Sequence, residues 1–76
     1  MTRLPAVRSR EVVRALERAG FVVTRTSGSH CRLVHGNDPA CAVTVPIHAG
    51  RDIKPGTLQA ILRQTGLTVD ELKELL

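Results

Sequence analysis

The sequence predicts an α+β domain whose helices pack on one face of a three-stranded antiparallel sheet, in the order helix, three strands, helix, short C-terminal helix. Three observations predict it. Apolar residues recur at helical spacing from Val12 to Ala19 and again from Leu58 to Leu62. Between these stretches lie three short runs, rich in β-branched residues or alternating between apolar and polar. Clusters of Gly, Ser, Asn, Asp and Pro separate the runs.

The elements follow in order. Ser9 is placed to cap the first helix, Glu11 lies in its first turn, and Val12, Val13, Leu16 and Ala19 share one face. Gly20 ends it, with Phe21 positioned to fold back on the last turn. Phe21 to Thr26 reads as a strand, and Ser27 to Ser29 as the turn of a hairpin. In the second strand Cys31 and Leu33 alternate with His30 and Arg32, so the apolar pair faces the core while His30 and Arg32 are exposed together. His35 falls on the face opposite His30, beside a turn, and is assigned no chemistry. Gly36-Asn37-Asp38-Pro39 is the next turn, and Cys41, Val43 and Val45 are the inward set of a third strand that Pro46 stops. Pro55 suits the start of a helix with Leu58, Ile61 and Leu62 inward and Gly66 at its end. Thr68-Val69-Asp70-Glu71 is a capping box for a last helix with Leu72, Leu75 and Leu76 on its apolar side.

Composition narrows the function. At 76 residues the chain is read as a single domain, residues 1–76, with a core able to supply only a few kcal/mol of net stability. Phe21 is the one aromatic residue, which argues against a binder that stacks successive bases on rings. Residues 1–35 hold seven Arg against two Glu, a surplus of +5, whereas the remainder sums to −1. That asymmetry suits a polyanion lying across the N-terminal half. No apolar run exceeds Ala40 to Val43, and no secretory or membrane address is visible, so the expected location is the cytoplasm, away from membranes. Cys31 and Cys41 lack metal-finger spacing and are read as core thiols. The histidines are no better placed for a metal, with no acidic cluster beside them, and the glycines of residues 50–57 do not form a triphosphate-binding loop. No cofactor is expected.

The segment Gly28-Ser29-His30 is the candidate for the chemistry, although its spacing alone is equally that of a surface histidine beside a hairpin turn. Imidazole gives or takes a proton near neutral pH with little tuning, and its two small neighbours leave room for a ligand to approach the main chain. With Gly20-Phe21 ahead of Arg25, with Pro46-x-His48, and with Lys54-Pro55-Gly56-Thr57-Leu58-x-x-Ile61-Leu62-Arg63-Gln64, residues from about Glu11 to Leu67 resemble the HicA family. The resemblance implies a fold similar to the double-stranded-RNA-binding domain, endoribonuclease toxin activity on mRNA, and neutralisation by a HicB-like antitoxin protein. It implies that His30 is the catalytic residue, with Gly28 and Ser29 its fixed neighbours and Lys54, Gly56 and Thr57 at the start of the second helix. Where an aromatic residue or a further histidine often follows the catalytic one, this chain has Cys31, Arg32 and Leu33.

RNA needs no metal to be cut when its own 2′-hydroxyl attacks the adjacent phosphorus. The protein then orients the phosphate, moves a proton and stabilises charge on the phosphoryl oxygens. His30 is expected to move the proton. Arg25, Arg32 and Lys54 are the candidate cations, Gly28, Ser29 and His48 the further candidate substrate contacts, and the N-terminus of the second helix offers main-chain N–H groups to a phosphate. The competing reading is a non-catalytic module that binds double-stranded RNA. Such a module usually presents a lysine-rich start to its last helix, and here only Lys54 precedes the helix.

Overall fold

Residues 3–76 are described by a computed structural model. Helix α1 spans Ser9–Arg18, strands β1, β2 and β3 span Phe21–Ser27, His30–His35 and Asp38–Pro46, and helices α2 and α3 span Pro55–Thr65 and Val69–Leu75. The sheet is antiparallel in the order β1-β2-β3, with the helices packed against one side. This is the expected α+β architecture, consistent with the double-stranded-RNA-binding-domain type of fold.

Burial sorts the strands by parity. Leu33 and Cys31 of β2 point inward with Val43 and Val45 of β3 and Phe21 of β1, and they meet Val12, Ala15 and Leu16 of α1, Leu58 and Ile61 of α2 and Leu72 of α3. In register, Val23–Leu33–Val43 and Thr26–Cys31–Val45 form the inward cross-strand rows. Both cysteines are free thiols; Cys31 is buried, and the half-buried Cys41 donates its S–H to the Gln64 carbonyl near the end of α2 at 3.6 Å.

The helix ends follow local chemistry, with one correction. Pro55 opens α2 after Lys54 in extended conformation, and Gly66 closes it at φ 74°, a left-handed backbone that costs glycine nothing. Thr68 and Glu71 form the capping box of α3: Thr68 Oγ1 accepts from the Glu71 N–H at 3.1 Å, and Glu71 Oε1 from the Thr68 N–H at 2.9 Å. Ser9, expected to cap α1, is instead its first helical residue. Arg8 holds the cap conformation, and Glu11 Oε1 accepts from the Arg8 N–H at 2.9 Å. The Ser9 hydroxyl is buried and engaged elsewhere, as described below.

His35 has a structural role. Its ring packs edge-on against Phe21 with centroids 5.0 Å apart, and its Nδ1 accepts from the Asn37 N–H at 3.1 Å. Gly20 makes room for it: at φ 101° a side chain there would be strained, and a Cβ would come within 2.9 Å of the ring. Arg18 Nη1 donates to the Leu75 carbonyl, tying the end of α1 to that of α3. Among the described residues no helix is long and apolar enough to cross a membrane.

Leu33, fully buried in the middle strand, is the test of this layering. Leu33→Ala should lower stability to urea unfolding by about 2–5 kcal/mol. Val22→Ala, at a residue 55% exposed on the other face, should change it by about 0.5 kcal/mol or less. Equal losses at the two positions would contradict the assignment of faces.

Candidate functional site

The face of the sheet turned away from the helices carries three cross-strand rows: Val22–Val34–Ala42, Arg25–Arg32–Thr44 and Ser27–His30–Pro46. Residues directly opposite on neighbouring strands point to the same side, so His30, Arg32 and Arg25 share a surface. All three are exposed, and no carboxylate stands in any of the rows.

Arg25 reaches this face through an irregularity. Phe21 and Val23 point inward, and strict alternation would send Arg25 inward with them. The register shifts between Val23 and Arg25, so that Arg25 pairs with Arg32. An extra residue of this kind is a β-bulge, and Thr24 occupies it, its Oγ1 donating to the Arg32 carbonyl at 3.4 Å. Past the bulge Thr26 lies on the helix side and Ser27 opposite His30.

His30 opens β2 directly after the turn. Gly28 adopts φ 56°, which the tight connection between β1 and β2 requires. The Ser29 carbonyl accepts from the Ile47 N–H at 2.6 Å, fastening this turn to the end of β3.

His48 and Lys54 lie elsewhere, in a cleft of about 390 Å³ between the start of α1, the end of β3 and the start of α2. Its walls include Ser9, Pro46, Arg51, Asp52 and Thr57. Lys54 sits at the N-cap of α2, whose first turn contains no acidic residue, so its N–H groups add partial positive charge to the cleft. Asp52 is engaged by Arg8, Nε to Oδ1 at 3.5 Å, on the surface. The candidate residues thus form two groups: Arg25, Arg32 and His30 on the sheet, with Gly28 and Ser29 at their edge, and His48 with Lys54 in the cleft. Pro46 joins them, being both the cross-strand partner of His30 and part of the cleft wall.

Ser9 holds this junction, a role that its sequence context does not reveal. Its hydroxyl donates to the Pro46 carbonyl at 2.8 Å and accepts from the His48 N–H at 3.2 Å, with the residue only 3% exposed. One buried hydroxyl therefore fixes helix, strand end and histidine loop together. The adjoining chain is pinned as well, by the Ile53 N–H bond to the Val7 carbonyl at 2.8 Å. Nothing local signals the contacts of Ser9, because its partners lie 37 and 39 residues away. Ser9→Ala removes the buried hydroxyl and leaves the part-buried Pro46 carbonyl and His48 N–H without this partner, and should cost about 1–3 kcal/mol. Hydrogen exchange at the His48 amide should accelerate more than exchange in the centre of β2. Unaltered exchange at His48 would remove Ser9 from this role.

A comparison with curated proteins found no match. Residues 9–67, well over half of the chain, match a family model described as the HicA toxin of bacterial toxin-antitoxin systems. The match spans α1, the whole sheet, the cleft and α2, so both groups of candidate residues lie within it. The chain belongs to the HicA toxin family.

Proposed function

We propose that this toxin is a metal-independent endoribonuclease that cleaves mRNA in the cytoplasm, that His30 is its proton-transfer group, and that a HicB-like protein neutralises it. The observation that carries the reading is an exposed imidazole beside two arginines, in cross-strand rows that hold no carboxylate. Such a surface attracts a phosphodiester and leaves the histidine free to act on it.

The chemistry balances without a further reactant. The 2′-oxygen of one nucleotide forms a bond to the adjacent phosphorus, and the bond from phosphorus to the 5′-oxygen of the next nucleotide breaks. A proton leaves the 2′-hydroxyl and another joins the departing oxygen, giving a 2′,3′-cyclic phosphate and a 5′-hydroxyl. His30 handles one of these protons. Arg25 and Arg32 offset charge on the phosphoryl oxygens, and the absence of side-chain bulk at Gly28 and Ser29 admits the ribose. Lys54, His48 and the start of α2 receive the chain beyond the cut.

His30→Ala should abolish growth arrest and RNA cleavage while keeping the parent's melting curve and its binding to the antitoxin. Parent activity should survive excess chelator. Its products should carry the cyclic phosphate and 5′-hydroxyl ends, and a single 2′-deoxy substitution at the cut nucleotide should block cleavage there. Undiminished cleavage by His30→Ala would remove His30 from the mechanism. RNA binding with no cleavage by the parent chain would favour the competing double-stranded-RNA-binding module.

A further inference from the structure

We infer that the open sheet face holds two consecutive phosphates of a single RNA strand, the scissile one at His30 and its neighbour between Arg25 and Arg32, with the Thr44 hydroxyl as a third contact to that neighbour. This rests on the proposed ribonuclease reading and adds to it the form of the substrate and its register on the protein.

The register comes from the sheet. The row Arg25–Arg32–Thr44 lies two residues from the row Ser27–His30–Pro46 along β2. Two residues of strand span about 6.8 Å, close to the step between successive phosphates of an extended RNA chain. Arg25 and Arg32 stand directly opposite one another, an arrangement of like charges that destabilises a sheet. Neither has an acidic partner, the one ion pair among the described residues being that of Arg8 with Asp52. An anion shared by both guanidinium groups turns that repulsion into binding. The bulge at Thr24 strengthens the case, because without it Arg25 would fall on the helix side.

The same face argues for one strand rather than a duplex. Beyond the arginine row the surface becomes apolar at Val22, Val34 and Ala42, and Val22 is 55% exposed. The cationic tract is therefore one row deep, whereas a duplex-binding domain contacts phosphates over about 16 base pairs. An apolar row next to the phosphate position suits a ribose or base edge of an unpaired strand.

The test pairs changes in RNA with changes in protein. A single-stranded oligoribonucleotide with one cut site is made with a neutral methylphosphonate at either phosphate flanking the cut, and in a 2′-O-methyl form that is not cleaved. For the parent chain, neutralising one of the two flanking phosphates should weaken binding about tenfold or more, the worth of hydrogen bonds to a charged group. For the double variant Arg25→Ala/Arg32→Ala the same change should alter binding less than about twofold. Thr44→Val should give a smaller loss that depends on the same phosphate. The parent should prefer the single strand to its blunt duplex. Arg25→Ala/Arg32→Ala should melt no lower than the parent, which excludes unfolding as the cause. A double variant as sensitive as the parent to that methylphosphonate, a preference for the duplex, or a loss confined to antitoxin binding would each overturn the inference. Absence of cleavage of the 2′-hydroxyl strand by the parent chain would instead overturn the ribonuclease reading, and binding of the 2′-O-methyl strand would still report on the phosphate contact.

Discussion

Burial of Leu33 between the helices and the middle of the sheet is the constraint on which the rest depends. It fixes the inward parity of β2, and with it the outward direction of His30 and Arg32 on either side of Cys31. A slip of one residue would place a histidine and an arginine in an apolar core and Leu33 in water. The packing that stabilises the fold therefore also presents the candidate site.

The candidate site works against some of that stability. Opposed arginines, a bulge in an edge strand and a half-exposed apolar row all cost the free protein something, and each gains meaning once a partner covers the face. The core that must carry these costs is built of short aliphatic side chains around one phenylalanine. Stability and ligand affinity should consequently trade against each other at Arg25 and Arg32, whereas at Ser9 a single change weakens both the packing and the placement of His48.

Much of this was legible in the residues. Alternation in β2 identified the exposed side of His30, Thr68 with Glu71 announced α3, and Pro55 with Gly66 bounded α2, because each rests on contacts within a few residues. The remainder depended on distant contacts. Ser9 before Glu11 has the form of a cap, but the hydroxyl is drawn to Pro46 and His48, and Arg8 takes the cap position. The bulge that turns Arg25 outward leaves no mark in the run Phe21 to Ser27, since it is defined only by pairing with β2. The separation of His48 and Lys54 into a cleft beside the sheet likewise follows from how α1 and α2 pack, which no motif spacing encodes.

The central claim is that RNA meets His30 on the sheet face away from the helices, and methyl NMR tests it on alternating residues of the same strands. On titration with the uncleavable single strand, methyl signals of Val22, Val34 and Ala42 should shift in proportion to binding, while those of Val23, Leu33 and Val43 stay in place. Shifts confined to the outer surfaces of α1 and α2, with the open-face methyls unmoved, would contradict the account.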